Sequence, residues 1–425
     1  MRSLQHPRTG WRFGRDPVAL LEHDRATRGD HVNVDGIVEP GFEGVRDAFV
    51  RNFDEHGDVG AGFCLHVEGR KVVDLWGGIA DQSTNKPYDE STLQLVFSTT
   101  KGATAACANL LMQRGLLDID MPVTTYWPEF GAAGKEDLPV RWLMCHKAGL
   151  PVIDKRLSRA EALAWDPVVA ALSVQEPVWE PGTAHGYHAL TFGWLVGEVV
   201  RRIDGRSLGT FFADEIAQPL GLEFWIGLPE SEEHRVSPII GTLIPEGEAP
   251  TEELRALLEQ FTGPDSLLGR ALTLNSAFDT ECWNDRNVHA AEIGAASGIT
   301  NARSLSRFYA GLVGPLPDAP AAPLFSGAQI DAARETQTEG ADRCLFFETS
   351  FGLGFFTASL FAPYGGAGSF GHSGAGGSMG FADPDNQIAA GYVMNRMAQN
   401  LSGDPRTRGL VQASYDAVGA PIAFV

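Results

Sequence analysis

Leu95-Val96-Phe97-Ser98-Thr99-Thr100-Lys101-Gly102-Ala103 carries the chain out of an apolar, strand-like run and into a helix. The strand-like run covers Leu93 to Phe97. Beyond it, Ala103, Ala106, Cys107, Leu110 and Leu111 recur at helical spacing, which predicts a helix from just after Ser98 to Gly115. Positions i and i+3 of a helix share a face, so the Ser98 hydroxyl and the Lys101 amine can meet. A hydroxyl is a weak nucleophile at its free pKa and needs a base beside it. A lysine serves as that base only when burial or nearby positive potential lowers its pKa. The free N–H groups of a helix start supply such potential. Ser98 and Lys101 therefore read as a nucleophile and its activator. Ser98 also reads as the helix N-cap, and the two readings are compatible.

Spacing alone is a weak signal, and the chain holds its own controls. Ser83-Thr84-Asn85-Lys86 has the same spacing but lies in the polar stretch Asp81 to Pro87, a loop with no apolar wall to desolvate Lys86. Gly376-Gly377-Ser378-Met379-Gly380 fits the G-x-S-x-G elbow, which needs a strand-to-helix turn. The residues after Ser378 are strand-like and then run into Asp383-Pro384-Asp385, so Ser378 is not the expected nucleophile. Gly366-Ala367-Gly368-Ser369-Phe370-Gly371 fits G-x-G-x-x-G, but no strand leads in and no helix follows, so dinucleotide binding is not expected.

Two further stretches stand out. In Trp179-Glu180-Pro181-Gly182-Thr183-Ala184-His185-Gly186-Tyr187-His188-Ala189, proline and glycine bring the chain tightly up to Tyr187. A helix follows, patterned by Leu190, Trp194, Leu195 and Val199. A phenol at such a corner can face a cleft and, as phenolate, share or take the serine proton. The alternative is a half-buried packing tyrosine. Phe370-Gly371-His372-Ser373-Gly374-Ala375-Gly376 reads as a strand and a glycine-rich turn, able to offer backbone N–H groups to a developing oxyanion or to serve as a tight hairpin.

The 425 residues are 44% hydrophobic and 20% charged, the balance of a globular protein. With 33 basic and 54 acidic residues the net charge is −21, which disfavours nucleic acid and anionic membrane faces. Five cysteines without short spacing, Cys64, Cys107, Cys145, Cys282 and Cys344, read as buried thiols rather than a disulfide framework. His185 and His188 form the sole close histidine pair and lack a metalloprotease glutamate, so no metal or other cofactor is expected. No apolar h-region or membrane-length run is visible, and a cytoplasmic location is expected. The partner is a small molecule; oligomeric state is left open.

Residues 1–35 read as polar and irregular. Pro40 to Asp58 reads as an amphipathic helix through Phe42, Val45, Phe49 and Phe53. Ala61–Val67 and Lys71–Trp76 read as a hairpin. Residues 121–290 are mainly helical, with breaks at 219–222 and 245–247. Strand patterns return at 350–359, around 371–382 and at 388–395, and a helix over 406–417 closes the chain. The organisation expected is one discontinuous α/β (α+β) domain, residues 1–120 and 291–425, with a helical domain inserted over 121–290.

Ser98-x-x-Lys101, Tyr187 and His372-Ser373-Gly374 occur in an order and at separations that resemble the class C β-lactamase-like branch of the serine β-lactamases and penicillin-binding proteins, and within it the family VIII carboxylesterases. The likeness runs from about residue 35 to 415 and includes Leu143 to Pro151 and Trp179 to Gly182. It implies an antiparallel sheet flanked by helices, acylation of Ser98, proton transfer by Lys101 and Tyr187, an oxyanion hole of the Ser98 and Ala375 backbone N–H groups, and substrate contacts from His372, Ser373 and Gly374. Two departures stand out. Tyr187-His188-Ala189 lacks the asparagine of Tyr-x-Asn, and His372-Ser373-Gly374 replaces the cation of Lys-Thr-Gly by a titrating imidazole. Both favour esters: a serine carboxylesterase acting on short acyl esters is expected, ahead of a β-lactamase, D-amino-acid peptidase or amidase, or an acyltransferase.

Overall fold

The computed structural model describes residues 32–241, 263–319, 322–398 and 403–425. The reading of residues 1–31 and the break at 245–247 lie outside them. The strands are β1 (Val34–Val38), β2 (Gly60–Val67), β3 (Arg70–Asp81), β4 (Lys86–Pro87), β5 (Leu93–Leu95), β6 (Phe224–Ile226), β7 (Val236–Ser237), β8 (Gly298–Thr300), β9 (Thr338–Ala341), β10 (Glu348–Phe351), β11 (Phe356–Thr357), β12 (Phe370–Ser373), β13 (Met379–Asp383) and β14 (Ile388–Met394). The helices that position the site are α1 (Glu43–Glu55), α2 (Thr100–Gln113), α3 (Asp166–Val174), α4 (Thr191–Asp204), α5 (Ala302–Val313) and α6 (Pro405–Val418).

Among the described residues the strands form two sheets. The larger has the order β1-β3-β2-β14-β13-β12-β11-β10-β9, with β4 beside β3. All its pairs are antiparallel. Its strands come only from residues 34–87 and 338–394, and the β2–β14 ladder, from Ala61↔Met394 to Val67↔Ile388, joins the two parts of the chain. Every residue of β14, and all but the last of β2, is buried, because α5 covers one face while α1 and α6 pack together at the other. The smaller sheet, β6-β8-β5-β7, is built from strands of two or three residues.

Val34–Val425 packs as one compact unit. A continuous apolar core joins Cys64, Phe370 and Val393 of the larger sheet to α2, α3 and α4. Twelve residues of α2, Thr100 to Leu111, are buried, so this helix is enclosed on all sides. All five cysteines are buried free thiols. Helix α1 is shorter than its pattern suggested: Gly41, with φ 97°, delays its start, while Val45, Phe49 and Phe53 are buried as expected. Strand β3 runs five residues past Trp76, because Gly77 and Gly78 pair with Val34 and Gly60 although neither shows a strand pattern. No helix among the described residues is long and apolar enough to cross a membrane.

Candidate active site

Strand β5 ends at Leu95, and the chain turns into α2 through a 3₁₀ turn, Phe97–Thr99. Phe97 sits in the left-handed region at φ 45°, a conformation that costs a non-glycine residue about 1–3 kcal/mol. Its ring is held within 5.3 Å of Trp283. The Thr100 hydroxyl clamps the same turn, donating to the Phe97 carbonyl (2.5 Å) and accepting from the Gly298 N–H (2.8 Å). Ser98 thus lies at the crest of a fixed turn, half-buried, rather than at a helix N-cap.

Lys101 lies one turn on, fully buried. Its Nζ is 3.0 Å from Ser98 Oγ, 2.6 Å from the Ala189 carbonyl and 3.0 Å from the Ala295 carbonyl. Burial holds its pKa well below the usual lysine value. A neutral amine has two N–H donors and one lone pair, and carbonyl oxygens only accept. With both N–H groups on Ala189 and Ala295, the lone pair is left for the Ser98 O–H. The arrangement can take a proton from Ser98.

Tyr187 is buried, with Lys101 Nζ 4.7 Å above its ring centroid and its hydroxyl directed to Ser98. Its N–H donates to Asp342 Oδ1 (3.0 Å), which also accepts from the N–H groups of Cys344 and Leu345. The ring lies among Phe351, Phe356, His146 and His372. Burial pushes the phenol above its ordinary value, so Tyr187 is a neutral donor and not the phenolate that its place at the corner suggested. The neighbouring His188 turns away: its Nδ1–H donates to Gly186 O, Nε2 accepts from Leu150 N–H, and its pKa is lowered to about 3 by burial.

The third motif abuts this turn, with Gly374 closest. A Cβ on Gly374 would lie 2.2 Å from both the Val96 carbonyl and Ser378 Oγ, so only glycine fits. Ser373 shares a 3.0 Å hydrogen bond with the Tyr364 hydroxyl. Ser373, Gly374 and Ala375 are half-buried. Among the described residues, neither the Ser98 nor the Ala375 backbone N–H donates to a protein acceptor. His372 differs from expectation. It is fully buried against Phe356, its Nδ1–H donates to Ser373 O, and burial together with Lys101 holds it neutral. It is therefore no titrating cation.

The rejected serines are placed elsewhere. Ser83 is exposed and bonded to Asp81. Ser378 is buried and donates to Val96 O (2.8 Å), so it stitches the glycine turn to the strand before Ser98. Sequence reasoning missed this stitch and the carbonyls that hold Lys101. It also missed the buried Arg406, which reaches the glycine turn from the start of α6. No local pattern announces any of them. A cavity of about 340 Å³, lined in part by Trp165, Trp194 and Arg201, includes no residue of the three motifs.

The beta-lactamase family profile matches residues 46–414. The chain belongs to the beta-lactamase family. As a family member it is a serine hydrolase with the beta-lactamase fold. It is 32% identical over 409 residues to the esterase/beta-lactamase LipL of Mycobacterium tuberculosis, covering 91% of this chain and 88% of that protein. A family VIII carboxylesterase structure superposes with a TM-score of 0.81 at 37% identity, over 91% of this chain and all of that one. A penicillin-binding protein homolog from Caulobacter crescentus superposes at 0.79 with 35% identity, over 91% and 100% of the two chains.

Proposed function

We propose that this chain is a serine carboxylesterase that hydrolyses short-chain acyl esters through an acyl-enzyme on Ser98. The observation that carries the reading is Lys101, fully buried, with its Nζ 3.0 Å from Ser98 Oγ and within hydrogen-bond distance of the Ala189 and Ala295 carbonyls, where burial lowers its pKa. Ser98 Oγ attacks the ester carbonyl carbon as its proton passes to Lys101 Nζ. The carbonyl oxygen takes up the electron pair and is received by the N–H groups of Ser98 and Ala375. Collapse breaks the bond to the alcohol oxygen, which leaves with the Lys101 proton relayed by the neutral Tyr187 hydroxyl. Water then attacks the acyl ester with its proton taken by the same groups, releasing the acid and restoring Ser98.

Two features support esters over β-lactams. The position of the third motif's cation holds a buried, neutral imidazole, and Ala189 stands where an amide would hold a β-lactam side chain. Related proteins are described as esterases, one of them as esterase/beta-lactamase, so lactam hydrolysis is the competing outcome. The preference for short acyl groups rests on the likeness to the family VIII carboxylesterases. The test is kcat/KM for p-nitrophenyl butyrate, p-nitrophenyl palmitate and nitrocefin, with Ser98→Ala as the control. Butyrate turnover abolished by Ser98→Ala is expected; nitrocefin equalling butyrate, or palmitate exceeding it, overturns the assignment.

A further inference from the structure

We propose that Arg406 is a positioning residue that holds the oxyanion-binding turn in its working shape, an inference that rests on the role of Ala375 proposed above. The turn Gly374-Ala375-Gly376-Gly377 has almost no side chain to fix it. Gly376 and Gly377 have φ of 82° and 122°, so the backbone carrying the donor is intrinsically pliant. It is nevertheless tied at several points. Gly377 N–H donates to Gly374 O (3.1 Å), which orients the peptide whose N–H belongs to Ala375. Gly376 O accepts from Ala398 N–H (2.9 Å) and from Arg406 Nη2 (2.5 Å). A Cβ on Gly377 would lie 2.4 Å from both Arg406 Nη2 and Asp404 Oδ2, so the turn rests directly on the ion pair.

Arg406 is itself immobilised, at 2% exposure. Its five N–H donors are all engaged. Nε donates to Asp404; Nη1 to Asp58 Oδ1 (2.8 Å) and Arg396 O (2.9 Å); Nη2 to Asp404 Oδ2 (2.6 Å) and Gly376 O. Tyr392 donates to the other oxygen of Asp58 (2.5 Å), and Asp404 caps α6 through the Arg406 N–H. A buried charge cluster is weak evidence for stability, because desolvation offsets the attraction. A planar fork with five fixed donors does hold a carbonyl at a set place and angle, which a lysine cannot do. An oxyanion donor is worth about 10²–10³ in kcat only when it is held in place beforehand.

The test compares Arg406→Met and Arg406→Lys with Ala375→Pro. The proline removes the proposed donor outright, and Gly374, at φ −115° and ψ 157°, is already extended as a residue before proline must be. Active sites are counted by titration to completion with a fluorophosphonate. The readouts are kcat and KM for p-nitrophenyl butyrate, the pH profile, and Ki for phenylboronic acid, whose tetrahedral adduct on Ser98 places an oxygen in the hole. Ala375→Pro is expected to lower kcat about 10²–10³-fold. Arg406→Met is expected to lower kcat by a part of that, about tenfold or more, with KM within about twofold. Boronate affinity should fall in proportion and the acid limb of the pH profile should stay in place. Arg406→Lys should lie between Arg406→Met and the native enzyme.

If Arg406→Met melts earlier yet keeps native kcat and boronate affinity per titrated site, Arg406 is only structural and the inference fails, even with Ala375→Pro impaired. Native kcat in Ala375→Pro overturns the oxyanion reading and this inference with it. Should Arg406→Met not fold, Arg406→Lys decides by the same measure: kcat and boronate affinity falling together support the role, and unchanged values sink it.

Discussion

Burying Lys101 beside two carbonyl oxygens has a thermodynamic consequence that can be measured apart from activity. Its folded pKa lies below the unfolded value. Between those two values the unfolded chain binds more protons than the folded one, so stability rises with pH across that window. Lys101→Met lacks this term. The Tm of the native protein minus that of Lys101→Met should therefore grow as the pH rises toward lysine's ordinary value of 10.5, while the variant hydrolyses no ester. A constant difference would mean that Lys101 keeps an ordinary pKa in the fold. The catalytic counterpart follows with the same sign. Ser98 attacks only when Lys101 is neutral, so kcat/KM should rise with pH and level off well below lysine's usual value. Tyr187→Phe removes the relay but not the base. It should cut kcat by about 10²–10⁴ and leave that acid limb where it was. An acid limb that vanished with the phenol would transfer the titration to Tyr187.

Between strand β5 and helix α2 the fold places its nucleophile on a strained turn and then pins that turn from the far end of the chain. Ser378 supplies the pin, through Val96 O and Thr99 Oγ1. Ser378→Ala takes the partner from Thr99 Oγ1 and leaves the Val96 carbonyl with the Thr99 N–H alone, and should cost about 1–3 kcal/mol of stability. Mass analysis should still find the fluorophosphonate adduct on the Ser98 peptide; an adduct lost with the Ser378 hydroxyl would reverse the assignment of nucleophile. Gly374→Ala should do more damage, since its Cβ meets a backbone carbonyl that cannot yield. Helix α2, the β2–β3 hairpin and the Ser98–Lys101 pair were legible in the sequence because each is a local pattern of spacing. The smaller sheet was not, because Leu93–Leu95 pairs with Gly298–Thr300 and Val236–Ser237, strands too short to show a period and more than 100 residues away. The neutral state of His372 was hidden for the same reason: Phe356 and Lys101 reach it only through tertiary packing. The Arg406 bracket draws on Asp58, Gly376 and Asp404, and no stretch of sequence shows them together.

Across the whole molecule, 54 acidic residues against 33 basic ones leave a charge of −21. A substrate carboxylate therefore meets two separate obstacles. One is the long-range field, which salt screens with a Debye length of about 8 Å at physiological ionic strength. The other is local: without a cation at position 372, a β-lactam carboxylate loses a charge-assisted hydrogen bond worth about 1.5–3 kcal/mol, or one to two powers of ten in rate. A neutral p-nitrophenyl ester meets neither. Raising the salt concentration should lift kcat/KM for nitrocefin, leave that for p-nitrophenyl butyrate almost unchanged, and still leave nitrocefin far behind, because the local loss is not screened. Placing a cation at the position does not repair it. The side chain of residue 372 lies buried beside Phe356, Tyr187 and Lys101, so His372→Lys would set a second amine in the same apolar space. That variant should be less stable than the native protein and gain no nitrocefin turnover, since either amine disfavours protonation of the other. A His372→Lys enzyme that folded normally and hydrolysed nitrocefin faster would mean that residue 372 faces the substrate carboxylate after all, and the preference for esters would then rest on Ala189 alone.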